Sequence, residues 1–270
     1  MLDYHLLDVF TTTPFAGNPL AVCVDQAVID AAEMQQVARE FNLSETVFVS
    51  TDVHPFPTRI FTPTNELPFA GHPTIGTAVV LGLLGFAPDG QVVLAEGVGD
   101  VRCSVDGATA EFSTAQLPVN RGVIARDVAA ASLGLSVEDL HPDFEPAEWD
   151  CGLGWPIVAV RDVATLGRTR GVPGHLDQVY AVAPISETEW SARSFAPGFG
   201  IAEDPATGSA VAAFAGFVAS LPHDHLVVHQ GVEMGRPSEL RLSLEREGAS
   251  LIAVRVAGEA VVVGSGTLRV

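Results

Sequence analysis

Phe61-Thr-Pro-Thr-Asn-Glu-Leu-Pro-Phe-Ala-Gly-His-Pro-Thr-Ile-Gly-Thr-Ala78 and, about half the chain later, Phe195-Ala-Pro-Gly-Phe-Gly-Ile-Ala-Glu-Asp-Pro-Ala-Thr-Gly-Ser-Ala210 are two versions of one segment. Each opens on Phe-x-Pro, passes an acidic residue and another proline, and reaches a glycine before a run of small apolar residues. Helices are expected over residues 73–84 and 209–221, where Ala, Val, Gly and Leu dominate. Neither has a polar face, and a helix apolar all round is surrounded by protein. The pattern predicts duplicated halves, each aiming the N-terminus of a buried helix at something. Free N–H groups and the positive dipole end make such a terminus an anion site. Two of them facing one cleft would grip a carboxylate without a basic side chain.

Basic side chains are in fact scarce. All 14 Lys+Arg residues are arginine, so Schiff-base chemistry, pyridoxal phosphate attachment and the P-loop lysine are excluded. A formal net charge of −19 argues against nucleic acid and against anionic membrane surfaces. The 270 residues, 47% hydrophobic and 17% charged, describe a globular chain with material for a large core. No apolar run is long enough to span a membrane. The N-terminus, Met1-Leu-Asp-Tyr-His, lacks a basic leader region, so a cytoplasmic protein is expected. Cys23, Cys103 and Cys151 are odd in number and lie in apolar stretches, as buried small hydrophobes would.

Apolar, β-branched stretches place strands near 3–10, 19–24, 45–50, 58–62, 91–95, 99–104 and 108–113. An amphipathic helix fits residues 30–41, with Asp30 as N-cap and Glu33 closing a capping box. The second half predicts a short helix near 127–135 and strands near 156–160, 178–183, 225–230, 239–245, 249–256 and 259–269. The late strands alternate apolar and polar residues, which implies antiparallel pairing rather than a doubly wound parallel sheet. The fold class is therefore α+β: two pseudo-symmetric halves, each a rolled, mostly antiparallel sheet around one central apolar helix. The halves are read as 1–117 and 118–259, with the last strand, 260–270, a candidate to complete the first.

Several residues are candidates for chemistry. An isolated His-Pro is an ordinary loop or cap, but His72 stands at the start of the first buried helix, and the twin segment gives that place weight. Asp204 precedes the second helix and Ser209 enters its first turn, where both also suit capping. Glu45, in Asn42-Leu-Ser-Glu-Thr-Val-Phe-Val49, sits where a loop enters an apolar strand; burial there would raise its pKa toward the range of a general acid/base. A rival set, His223-Asp-His225 with His229, could ligate a metal from one face of a strand, although following Pro222 it reads better as an exposed turn. Gly152-Leu-Gly154 and Gly264-Ser-Gly266 lack the rest of a dinucleotide fingerprint.

At these residues the sequence resembles the phenazine-biosynthesis PhzF-like isomerase family, of the diaminopimelate-epimerase fold. The likeness is carried by Asp8-Val-Phe…Phe15-Ala-Gly-Asn-Pro-Leu-Ala-Val22, Asn42-Leu-Ser-Glu-Thr-Val-Phe48, Arg59-Ile-Phe-Thr-Pro…Glu66-Leu-Pro-Phe-Ala-Gly-His-Pro73, Glu203-Asp-Pro-Ala-Thr-Gly-Ser-Ala210 and Gln230-Gly-Val-Glu-Met-Gly-Arg-Pro237. Only the region from about 120 to 190 matches weakly. The resemblance implies a cofactor-free, metal-free isomerase, usually a homodimer, with its site between the halves. It implies that Glu45 moves a proton within a small carboxylated metabolite, as in trans-2,3-dihydro-3-hydroxyanthranilate isomerase. By the same resemblance His72, Asp204 and Ser209 support catalysis, and Asn18, Gly71 and Gly208 bind substrate. The related epimerases use two cysteines whose positions fall near Ala70 and Thr207 here, and none of the three cysteines lies near either helix start. A one-carboxylate proton shift is favoured over two-base epimerisation. A lyase or other isomerase using the same glutamate, and a non-catalytic carboxylate-binding protein, remain as alternatives.

Overall fold

A helix apolar on every side is sheltered best by a sheet that curves around it, and this chain builds that arrangement twice. The computed structural model describes residues 1–25, 29–248 and 250–270. One unit comprises Met1–Ala115 with Ala257–Val270, the other Gln116–Val256. In the first, β1 (Leu2–Val9) and β2 (Asn18–Asp25) lead to α1 (Ala31–Phe41), β3 (Glu45–Ser50), β4 (Phe56–Phe61) and the short β5 (Glu66–Leu67). Then come α2 (Gly71–Leu83), β6 (Gln91–Glu96), β7 (Gly99–Asp106) and β8 (Thr109–Ser113). The second unit has β9 (Val119–Val123), α3 (Arg126–Ser132), β10 (Ala147–Asp150), β11 (Gly154–Ala159), α4 (Val163–Leu166), β12 (Val179–Pro184) and β13 (Glu189–Ala196). It continues through β14 (Ile201–Asp204), α5 (Gly208–Phe217), β15 (His225–Gln230) and β16 (Ser238–Glu247), and the long β17 (Ser250–Leu268) ends in the first unit.

The pairings repeat. In the first unit β1–β2 is antiparallel, β2–β3 parallel, β3–β4 antiparallel, β4–β6 parallel and β6–β7 antiparallel. β8 pairs with β7 and with β17, and β17 returns to β1, so the strands close into a ring. In the second unit β10–β11, β11–β12, β12–β13, β13–β15 and β15–β16 follow the same alternation of antiparallel and parallel. Helix α2 packs on β1, β2, β3, β6, β7 and β8, and it is buried from Gly71 through Leu81. All of α5 is buried, with Phe214 edge-on to Trp190 at 5.2 Å between ring centroids. Each fully buried large apolar side chain contributes about 1.5–3 kcal/mol, so these two helices organise the cores.

The repeat also extends upstream of the quoted segments as Arg-x-Phe. The Arg59 guanidinium forks onto Glu66 with both bonds at 2.7 Å and lies 5.2 Å over the Phe61 ring. Arg193 forks onto Glu203 at 2.8 and 2.7 Å and lies 4.9 Å over Phe195. The second fork is buried, and Arg193 also donates to the Leu166, Gly167 and Thr169 carbonyls. That explains why β13 is missing from the sequence reading: Glu-Trp-Ser-Ala-Arg-Ser-Phe-Ala carries a charge in its middle, and Glu203, the three carbonyls and Glu233 at 4.0 Å make that charge compatible with burial.

Other differences have local causes. Helix α2 starts two residues before the expected position, which puts His72 inside its first turn, and α5 stops at Phe217 rather than 221. The strands expected at 249–256 and 259–269 are one strand; Ala249 lies outside the described residues. Gly258 does not break β17, because the Phe10 ring fills the space where a Cβ would stand. Helix α1 forms with the capping box between Asp30 and Glu33.

The enclosure of α5 is tight enough to test. A Cβ on Gly216 would meet the rigid Trp149 ring and lie 2.8 Å from Pro118 Cβ. Gly216→Ala is expected to cost about 1–3 kcal/mol by overpacking, read as a fall in Tm of several degrees by calorimetry.

Candidate active site

Each candidate in the first unit is placed by a local device. Asn18 opens β2 after a turn in which Gly17 has φ +65; a side chain there would strike the Val9 carbonyl and Thr11. The buried Asp8 carboxylate accepts from the Phe15 N–H at 2.6 Å and fixes the same turn. Glu45 is the first residue of β3, reached three residues after α1 ends on Asn42 in the left-handed region (φ 52). His72 is the second residue of α2, ahead of Pro73, which suits a first turn because it has no N–H to satisfy.

These devices bring Glu45, His72 and Asn18 together. His72 Nε2 stands 3.3 Å from Glu45 Oε2, with side chains 5% and 13% exposed. The contact is close without being an aligned hydrogen bond. His72 Nδ1 lies 3.3 Å from the Asn18 amide nitrogen, and Asn18 is completely buried. Burial pushes the His72 pKa down to about 3, with the Pro19 carbonyl acting weakly in the other direction. The imidazole is therefore neutral and carries a single proton. Its Nε2 is within reach of Glu45 Oε2, the proximity that a general acid/base pair needs.

In the second unit, Asp204 Oδ2 accepts from the Thr207 hydroxyl at 2.6 Å. Gln230, fully buried at the end of β15, donates to the Asp204 carbonyl at 2.8 Å and to Thr207 Oγ1 at 3.0 Å. Its Oε1 accepts from the Thr207 N–H at 3.2 Å and from Tyr180 at 3.0 Å. Ser209, in the first turn of α5, accepts from the Trp155 indole N–H at 3.2 Å. Neither Gly71 nor Gly208 sits beneath a side-chain cap, and neither helix has an acidic residue in its first turn. The positions related to epimerase cysteines, Ala70 and Thr207, are the N-cap residues of α2 and α5.

The two units differ at the position of Glu45. Thr46 pairs with Phe61 and Val179 with Phe195, the two phenylalanines that open the repeated segments. The residue before each strand partner is Glu45 in one unit and Gln178 in the other. Gln178 donates to the Gly154 carbonyl at 2.6 Å and cannot take a proton. The sequence reading missed Gln178, Gln230 and Trp155; extending the repeat through Arg-x-Phe and counting back across the hairpin would have found the first.

Cys103 is buried, and burial followed by Glu96 raises its thiol pKa. β15 opens on His225, where a strand was expected, with His225 3.2 Å from Ser243, and His223 before it pairs with Glu187 at 3.5 Å. Among the described residues no three His, Cys, Asp or Glu side chains gather as a metal site requires, and no helix is long and apolar enough to cross a membrane.

Comparison with known proteins decides the family. The profile described as phenazine biosynthesis-like protein, PhzC-PhzF, matches residues 7–266. The chain belongs to the PhzF family. It is 41% identical to an uncharacterized isomerase of Mesorhizobium japonicum, the match covering 98% of each chain. It is 32% identical to the trans-2,3-dihydro-3-hydroxyanthranilate isomerase of Pseudomonas chlororaphis, covering 99% of both. The crystal structure of a PhzF-family phenazine biosynthesis protein of Bacillus anthracis shares the fold with a TM-score of 0.89 at 22% identity, over 100% of this chain and 99% of that one. The protein is thus an isomerase of the PhzF family with the diaminopimelate-epimerase type of fold.

His72 gives this PhzF isomerase a recognisable pH response. Between about pH 3 and the ordinary histidine value of 6.5, the unfolded chain binds a proton at His72 that the folded one does not. Stability should therefore rise with pH across that window, and its contribution should be lost as pH falls toward 3. Urea titrations at a series of pH values should give a shallower acid slope in His72→Gln than in the parent.

Proposed function

We propose that the protein is a cofactor-free proton-shifting isomerase in which Glu45 is the single acid/base. The contact of Glu45 Oε2 with the neutral, buried His72 at 3.3 Å is the observation that carries this reading. Glu45 removes a proton from a carbon next to an unsaturated or carbonyl group and returns it elsewhere on the same π-system. His72, steadied by Asn18, keeps the carboxyl oriented and shares its proton. Asn18, entirely buried, acts through the imidazole.

The substrate is a small carboxylated molecule, and trans-2,3-dihydro-3-hydroxyanthranilate, named for the relatives at 32% identity, is the first compound to test. Its carboxylate would be held by the N–H groups at the start of α2, near Gly71–His72, with no need for lysine. Asp204 and Ser209, held by Thr207, Gln230 and Trp155, are the polar residues that the second unit offers. Gln178 at the position twin to Glu45 supports one-base chemistry over a two-base epimerisation. The same reading takes the active form to be a homodimer.

Turnover in heavy water provides the test. Parent protein should place deuterium on a substrate carbon, while Glu45→Gln should lose at least about 10²–10⁴-fold in kcat with its fold unchanged. Activity near that of the parent in Glu45→Gln would sink the assignment.

A further inference from the structure

Glu96 is a carboxyl that the proposed chemistry does not use. It ends β6, is 8% exposed, and bonds the Thr74 hydroxyl at 2.8 Å. That hydroxyl also lies 2.9 Å from the Ala70 carbonyl. Thr74 has one hydroxyl proton and the carbonyl can only accept. When Thr74 gives its proton to Ala70, the proton between Thr74 and Glu96 must come from Glu96. Glu96 Oε2 has no partner, and among the described residues no cation pairs with the carboxyl. A buried, unpaired carboxylate is costly, a neutral acid far less so.

The topology supplies an independent observation. β6 follows α2 as β15 follows α5, with the same neighbours, and Glu96 and Gln230 are the last residues of those strands. Gln230 holds the N-cap of α5 through Thr207, and Glu96 reaches the N-cap of α2, Ala70, through Thr74. An amide donates and accepts without ionising; only a protonated acid can do both.

We propose that Glu96 is a positioning residue for catalysis: as a neutral acid it donates to Thr74, which donates to the Ala70 carbonyl, and this chain fixes the first turn of α2 that presents His72 to Glu45. The role rests on the reading that Glu45 and His72 transfer the proton. Ionised Glu96 can only accept, so Thr74 turns its proton toward the carboxylate and releases Ala70. Burial pushes the Glu96 pKa up to about 8, the Thr74 bond opposing it, so the release falls in a measurable range. From β7, Cys103 faces Glu96, and burial followed by Glu96 itself raises its thiol so that it stays neutral. On α2 the titratable residue is His72, held by Asn18 and Pro19, and on β4 the charge of Arg59 is taken by Glu66. In the folded protein Glu96 keeps its proton between about 4.5 and 8, where the unfolded chain has lost it, so its contribution to stability is lost as pH rises through that window.

Three proteins test this: parent, Glu96→Gln and Glu96→Leu. With trans-2,3-dihydro-3-hydroxyanthranilate, the parent should lose kcat on an alkaline limb near pH 8. Glu96→Gln should keep kcat within about threefold and lack that limb, because its amide donates to Thr74 at every pH. Glu96→Leu should lose at least about tenfold in kcat with little change in KM, as removal of a positioning contact does. Independently of turnover, the ¹⁵N signals of the His72 ring should shift with a midpoint near 8 in the parent and stay flat in Glu96→Gln. An alkaline limb or ring transition that persists in Glu96→Gln overturns the proposal, and so does damage there equal to that in Glu96→Leu. A parent without turnover sinks the functional reading instead, and the ring signals then decide the role of Glu96; they also decide it if Glu96→Leu does not fold.

Discussion

Burying a helix on all sides leaves only its ends free for chemistry, and most of this molecule follows from that constraint. Along α2 as far as Leu81, and along all of α5, the side chains are buried, so neither helix offers a functional group from its flank. Their first turns emerge with backbone N–H groups and one or two polar side chains, His72 in one and Ser209 in the other. The elements around them must be closely fitted, as Gly216 is against Trp149 and Gly258 against Phe10.

The helix starts then need anchors from outside, because neither carries its own side-chain cap. Each unit solves this with a polar residue at the end of the strand after the helix. Gln230 satisfies the backbone and hydroxyl of Thr207 together with the Asp204 carbonyl. Glu96 works through Thr74. Both networks hold the backbone of a helix start, and in the first unit that start carries His72.

Much of this was legible in the sequence. The two repeated segments gave the duplicated architecture, the absence of polar faces gave the enclosed helices, and Glu45, His72, Asp204 and Ser209 were all found beside a helix start or strand entry. What escaped was whatever depends on partners far along the chain. β13 looks too polar to be a buried strand until Glu203 meets Arg193. Glu96 looks like the end of an alternating strand until folding sets it against Thr74 at the start of α2. Gln178 carries no signal alone; it acquires meaning only as the counterpart of Glu45 across equivalent hairpins.

The acid-for-amide exchange at the two twin positions has a consequence for how the molecule registers its surroundings. Gln178 and Gln230 keep one protonation state in acid and in alkali, so these two anchors of the second unit do not titrate. Glu45 and Glu96 can each gain or lose a proton. At these two pairs of positions the duplication has thus set an amide in one unit against an acid in the other, and a single oxygen-for-nitrogen replacement separates a permanent fastener from one that a change of pH can undo.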